Sequence, residues 1–294
     1  MTIRYSILVS ALTLFMAFSI CPKEKKANSV SLIESLHYNE QHPKYFVSAH
    51  RGGRYIKGFP ENAMPTFEYT LRLVPNTFLE MDVNITSDSV LVLMHDNSLE
   101  RTTTASGLVS ETDWATMKKA MLRDDFGNIT PFHIPEFTEV LDWARPRGVI
   151  IKVDIKRGVP YERVIRTIEA HGMTDQVILI TYTAEGAAEA YSLTKEMMIS
   201  ASIRNMAEWQ RILETGIPAQ NLIAFTGTIM SEPELYQTLH ANGILCILGT
   251  MGNIDNKAAA KGMSVYHDCM KAGIDVFATD YPEAAEASIR TFHP

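Results

Sequence analysis

An alternation constrains this chain more than any other feature: short, continuous apolar runs separated by longer stretches of helical periodicity. The runs span residues 45–49, 78–83, 90–94, 149–155, 177–181, 197–203, 222–225, 244–248 and 274–278. Several are β-branched and unbroken, as parallel strands covered on both faces are. Between most of them lie helical segments such as 135–147, 160–171, 184–195 and 206–214. This alternation predicts an α/β fold with a parallel sheet. A chain of 294 residues suits one (β/α)8 TIM barrel, a fold that runs to ~250 residues before extensions.

Nine runs are one too many for that barrel. Only residues 84–89 separate the runs 78–83 and 90–94, whereas a parallel crossover needs about a dozen residues or more. Run 90–94 must therefore turn back on its predecessor as a hairpin. Eight barrel strands remain, and residues 96–133 become a small insertion after the second strand. One helix is expected there, over 111–121, begun by Ser110 with Asp113 following it.

The first thirty residues stand apart. Arg4 precedes an apolar run over 5–20, which is followed by Cys21 and a charged stretch over 23–26. A basic start, an apolar centre and a polar exit describe a secretory signal. The run is shorter than the ~20 residues a membrane-spanning helix needs. Residues 1–21 are expected to be a signal peptide or, with Cys21 as the lipidated residue, a lipoprotein signal; an uncleaved anchor is the competing reading. Residues 22–38 would be a tether, possessing no pattern of their own, and 39–294 the barrel. The chain is thus expected to be exported: periplasmic, secreted or lipid-anchored at a membrane surface. Cys246 and Cys269 form neither a disulfide framework nor a zinc pattern. Cys246 lies in an apolar run and reads as a small buried hydrophobe, and spacing leaves a disulfide between the two open. A net charge of −7 argues against nucleic acid, whose binders carry a basic stripe. Phosphate chemistry here must come from a local site.

Barrel active sites sit at the C-terminal ends of the strands. Those ends read Ser48-Ala49-His50-Arg51-Gly52-Gly53, Phe78-Leu79-Glu80-Met81-Asp82, Lys152-Val153-Asp154-Ile155-Lys156 and Ala278-Thr279-Asp280, with Leu93-Met94-His95-Asp96 closing the excursion. Glu80 and Asp82 are two apart and share a face of their strand. Carboxylates so placed repel each other unless a cation stands between them. A hard divalent ion, Mg²⁺ or Ca²⁺, is the natural partner of such oxygens, and Asp154 is a candidate third ligand. The competing reading is a structural network in which these acids pair with Arg51 and Lys156. His50 and His95 are candidate acid and base, because imidazole titrates near neutrality. Arg51 can hold two oxygens at once and Lys156 is a point charge, so both are candidates for binding phosphate. Gly52 and Gly53 either let backbone approach a ligand or form an ordinary turn.

His50-Arg51-Gly52, Pro60-Glu61-Asn62, Glu80-x-Asp82, His95-Asp96, Arg101-Thr102-Thr103, Ile134-Pro135 and Thr279-Asp280-x-Pro282 occur in this order. No piece is specific alone, but the ordered set resembles the glycerophosphodiester phosphodiesterase family over nearly the whole chain beyond the leader. The resemblance implies a (β/α)8 barrel, a divalent metal, and hydrolysis of a small-molecule glycerophosphodiester to glycerol 3-phosphate and an alcohol. It also implies that His50 and His95 are the acid–base pair, that Glu80 and Asp82 bind metal and that Arg51 binds phosphate. Two positions depart from the family pattern. Asp154 replaces a usual Glu, one methylene longer, and Ala63 replaces a usual Thr. Glu61 and Asn62 are read as supporting or helix-start residues, Asn62 as an N-cap.

Two other functions compete. A lipid phosphodiesterase would need an apolar surface beside the mouth, which Trp114, Met117, Met121 and Phe126 of the insertion could supply, although such residues more often pack inward. An inactive binding protein on the same scaffold is disfavoured by the intact pairs His50/His95 and Glu80/Asp82.

Overall fold

A computed structural model of the chain describes residues 32–293. The expected signal at 1–21 and the first part of the tether lie outside these residues. Every apolar run is a strand. In chain order they are β1 (Phe46–Ala49), β2 (Phe78–Ile85), β3 (Leu91–Leu93), β4 (Met121–Arg123), β5 (Ile129–His133), β6 (Ile151–Ile155), β7 (Val177–Thr181), β8 (Met198–Ser202), β9 (Leu222–Phe225), β10 (Cys246–Gly249) and β11 (Val276–Thr279). β1, β2 and β6 to β11 pair in parallel and close on themselves through β1–β2 and β1–β11. The result is the eight-stranded TIM barrel expected from the alternation. β3 pairs antiparallel with β2, Val83 facing Leu93, so the short link does produce a hairpin.

Side chains alternate along each strand, and this sorts them into two cores. Outward residues such as Val47, Leu79, Met81, Val153 and Ile199 pack under the helices. Inward residues at the lower end, Phe46, Phe78, Ile178, Met198, Ile223, Ile247 and Val276, fill the lumen. Above them the lumen turns polar, with Ser48, Glu80, Lys152 and Ser200 beside Ile180, Phe225 and Ala278. The last inward layer, at the mouth, holds Asp82, Asp154, Tyr182 and Ser202, with His50 just beyond β1. Helices start on local signals: Thr183 and Asn205 accept backbone N–H bonds at 3.1 and 2.9 Å as N-caps.

Three expectations need correction, and one open question closes. The tether does not extend through residue 38, because helix Leu32–Ser35 belongs to the barrel. Leu32 and Leu36 are buried in its lower core, and Tyr38 stacks on His240 with centroids 3.5 Å apart. In the insertion, helix 111–121 shrinks to Trp114–Met117, capped by Asp113 rather than Ser110, with Thr116 N–H donating to Asp113 Oδ1 at 2.7 Å. Bonds of Thr104 to both backbone groups of Met121, at 2.9 and 3.0 Å, draw the chain into the hairpin β4–β5 instead. Asn62 is not an N-cap. Its φ of 55° is left-handed, and Ala63 takes the cap position of helix Met64–Leu73. Cys246 and Cys269 are both buried and free, so the disulfide left open by spacing is not formed.

Phe78 anchors the lumen core. It is fully buried and stacks on Phe46 at 5.1 Å. Phe78→Ala should destabilise the barrel by about 3–5 kcal/mol, read as a lowered denaturant midpoint; a shift under about 1 kcal/mol would contradict this packing.

Candidate active site

Loop geometry at the end of β1 builds the first wall. Arg51 has φ 53°, a conformation that costs a non-glycine residue energy and concentrates at functional sites. Gly52 follows at φ +83°, and a Cβ there would lie 2.5 Å from the Phe67 ring. This turn aims the Arg51 backbone N–H at Glu80 Oε2, 2.6 Å away. The segment Glu61-Asn62 closes on it from behind. Asn62 N–H donates to the Arg51 carbonyl at 3.0 Å, and Arg51 Nη1 reaches both Glu61 oxygens at 2.9 and 3.0 Å. Asn62 also donates from Nδ2 to Asp82 Oδ2 at 2.7 Å and accepts the Asp82 N–H at 3.0 Å.

Glu80, Asp82 and Asp154 have carboxylate oxygens within 4.8 Å of one another. Parallel register explains this, since Asp82 is the direct partner of Asp154 across β2 and β6. Burial and the Asp82 charge push the Glu80 carboxyl up to about 7. Burial and Asp82 also raise Asp154, against the pull of Lys156. Burial opposes ionisation of Asp82, but Lys156, His95, Arg51 and the Asn62 hydrogen bond outweigh it and hold its pKa down. Lys156 Nζ donates to Asp82 Oδ1 and Asp154 Oδ2, both at 3.2 Å. The trio suits a divalent cation on two counts. Its donors are hard oxygens at suitable spacing, and Asp154 Oδ1 is buried without a hydrogen bond among the described residues. Asp154, despite being shorter than the usual Glu, stands with the other two.

The histidines are held alike. His50 Nδ1–H donates to Asp280 Oδ1 at 2.6 Å, and His95 Nδ1–H to Asp96 Oδ1 at 2.6 Å. A carboxylate on Nδ1 fixes the tautomer, so Nε2 of each neutral ring is left as the acceptor. Burial disfavours the charged form of His50, but the Asp280 hydrogen bond and the Glu80 charge outweigh it and raise its pKa. Asp96 is held in turn by Arg101, through Nε at 2.5 Å and Nη2 at 2.9 Å, which draws its carboxyl well below the usual range. Arg101 also grips Glu61, with bonds of 2.8 and 3.0 Å. The insertion thereby ties His95 to the Arg51 loop. Its hairpin tip adds a second tie, with Asp124 and Asp125 accepting the backbone N–H groups of Gly58 and Tyr55 at 2.9 and 2.6 Å.

His50, Glu80, Asp82, His95, Asp154 and Lys156 line one cavity of about 180 Å³ at the barrel mouth. Arg51 is not in its lining; the guanidinium lies behind the acids, with Nε 3.5 Å from Asp82. Sequence reasoning left two residues unassigned. Asp280 was read at a strand end but not as the partner of His50, which comes from 230 positions away. Lys152 was read in the third strand end but given no role, yet it is a buried lysine pushed down to about 8 by burial, with Glu80 and Asp154 opposing.

The model of the glycerophosphoryl diester phosphodiesterase family matches residues 50–224, which include all of these groups except Asp280. The chain belongs to this family. It is therefore an enzyme. A crystal structure of a glycerophosphoryl diester phosphodiesterase from Parabacteroides distasonis superposes with a TM-score of 0.82 at 32% identity, covering 90% of this chain and 92% of that one. The glycerophosphodiester phosphodiesterase of Caldanaerobacter subterraneus is 27% identical over 82% of this chain and 96% of its own length. An Oleispira antarctica phosphodiesterase, solved with the product sn-glycerol-3-phosphate, shares the fold at a TM-score of 0.68 and 18% identity, covering 85% of this chain and 97% of that one.

Asp280→Asn should lower kcat/KM by about 10²–10⁴-fold with little change in melting temperature. Because Asp280 raises the His50 pKa, the limb of the kcat/KM–pH profile that belongs to His50 should also move to lower pH. A profile that falls in height without moving would contradict this coupling.

Proposed function

We propose that this enzyme is a divalent-metal-dependent phosphodiesterase that hydrolyses glycerophosphodiesters to glycerol 3-phosphate and an alcohol. Support comes first from one observation: two histidines, each with Nδ1 committed to an aspartate, share a cavity with a crowded carboxylate trio. The names of its relatives favour the same substrate class. Glu80, Asp82 and Asp154 would hold Mg²⁺ or Ca²⁺, which when bound draws charge from the phosphate oxygens.

The geometry supports the following reading of the protein's part in the reaction. One histidine, neutral at the outset, takes a proton at Nε2 from the attacking oxygen; the other, protonated at the outset, gives its Nε2 proton to the leaving alkoxide, so a P–O bond forms as another breaks. The nucleophile is either water or the neighbouring glycerol hydroxyl, which would pass through a cyclic phosphate. Lys156 offers its charge to the phosphate from the cavity wall. Arg51 does so from behind, since its guanidinium Nε has no hydrogen-bond partner among the described residues while Nη1 is held by Glu61. Asp280 and Asp96 keep the rings in place.

The apolar leader supports export, with Cys21 as the point where a lipid anchor would tether the enzyme to a membrane. The acidic net charge supports a small-molecule substrate rather than nucleic acid. The lipid-phosphodiesterase reading gains less from the insertion than its composition promised. Met117 is buried in the insertion's own core and Trp114 packs against it, leaving Met121 and Phe126 exposed.

Glycerol 3-phosphate release from glycerophosphocholine and glycerophosphoethanolamine tests the proposal, with Mg²⁺, with Ca²⁺ and with chelator. Release should need metal, and His50→Ala and Glu80→Ala should each lower it by about 10²-fold or more. No release with either metal would overturn the assignment.

A further inference from the structure

The connection between β10 and β11 carries two helices, Ile254–Lys261 and Ser264–Lys271, whereas one helix links β6 to β7 and one links β7 to β8. The first of the two brings Asp255 against the end of β11. Asp255 is 2% exposed, and both of its oxygens are taken by neutral donors. Oδ1 accepts the Tyr266 hydroxyl at 2.9 Å; Oδ2 accepts the Thr279 hydroxyl at 2.8 Å and the Asp280 backbone N–H at 3.1 Å. Asp280 stands one residue past the pairing of β1 with β11, which ends at Ala49 and Thr279, so its N–H is anchored by this side chain and not by the sheet. The Asp280 carboxylate is the group that holds His50 Nδ1 at 2.6 Å. Asp255 is itself fixed. Its N–H donates to the Thr250 carbonyl at 2.9 Å, and the Thr250 N–H donates to the Ala278 carbonyl at 2.8 Å. Tyr266 is 1% exposed and meets Phe277 edge-on at 5.2 Å.

Burying a carboxylate costs free energy that an apolar side chain would not. A place in the first turn of its helix favours an acid through the helix dipole, but that does not aim the side chain at another strand. We propose that Asp255 is a positioning residue, which fixes the backbone at Thr279-Asp280 and thereby sets the Asp280 carboxylate against His50. This rests on the reading of His50 as acid or base. Asp255 acts on the ring only through Asp280. Without it, the Thr279 hydroxyl and the Asp280 N–H would be buried donors lacking an acceptor, and the chain there would shift to find others. The shift would spread, because Thr279 Oγ1 also accepts the Tyr281 N–H at 3.0 Å. Asparagine can keep the arrangement: its carbonyl oxygen can take the place of Oδ2, while its amide donates to the Tyr266 oxygen.

Proton NMR of the full chain with ¹⁵N-labelled histidine tests this, because a ring N–H held on a carboxylate by a short bond gives a downfield signal protected from exchange. His50 and His95 each supply one such proton, and His95 is the internal control. Asp255→Ala should shift or broaden the His50 signal and leave that of His95 in place, and Asp255→Asn should restore it. With glycerophosphoethanolamine as substrate, Asp255→Ala should lower kcat by about 10- to 100-fold with KM unchanged, and Asp255→Asn should recover most of the loss. Asp255→Ser, one bond too short for either contact, should match Asp255→Ala and serves as the second variant should that one not fold. An unmoved His50 signal, equal disturbance of both histidines, or equal losses in the Ala and Asn variants would overturn the proposal. The two readings fail separately. A His50 signal lost in Asp255→Ala and restored in Asp255→Asn, in a chain that turns over no glycerophosphodiester, would remove the hydrolase and keep the positioning; turnover with an unmoved signal would do the reverse.

Discussion

The crowding of Glu80, Asp82 and Asp154 is the interaction on which the rest of this site depends. Carboxylates within 4.8 Å of one another repel by on the order of 3 kcal/mol per pair at an effective dielectric of about 20. Nothing in a barrel lumen would assemble such a group unless cations offset it. The chain supplies Lys156 across Asp82 and Asp154, Arg51 behind Asp82, and Lys152 beside Glu80. The offset is incomplete, since Glu80 is still pushed up to about 7 and Asp154 keeps a buried oxygen unbonded among the described residues. The divalent ion proposed for the trio would complete the balance. The structural network weighed against a metal site is therefore present as well: the same lysine and arginine pairs serve as partial substitutes for the ion.

Around that centre the fold invests in orientation. Both histidines have one ring nitrogen spent on an aspartate, and a further arginine holds one of those aspartates. Arg101 and Glu61 make the insertion part of the site's frame, because the bonds that fix His95 run on into those that fix the Arg51 loop. This explains why three left-handed non-glycine residues, Arg51, Tyr55 and Asn62, cluster here. Strained backbone persists where the surroundings over-determine it, and each of these residues has a backbone group engaged by the network or by the hairpin tip.

Much of this was legible in sequence. The barrel strands announced themselves because both of their faces are covered, and the polar residues that interrupt them at period two mark the lumen. Site residues could be found because barrel chemistry sits at strand ends. What escaped depends on three-dimensional proximity. Asp280 meets His50 only because closure makes β11 the neighbour of β1. Lys152 looked like one charge in an apolar run, and only register places it beside Glu80. Hairpin β4–β5 was hidden because its strands are short and its partner bonds come from Thr104. Asn62 looked like a cap because its side chain suits one, but the reciprocal bonds to Asp82 claim it first.

Anomalous diffraction from crystals of the chain soaked with Mn²⁺, a scatterer that accepts the same oxygen ligands, tests the central claim most directly. The account expects a single strong peak within coordinating distance of Glu80, Asp82 and Asp154, with the Lys156 ammonium drawn away from at least one of its two carboxylates. No peak at the trio, with Lys156 still bridging Asp82 and Asp154, would contradict it and leave the acids as a structural network.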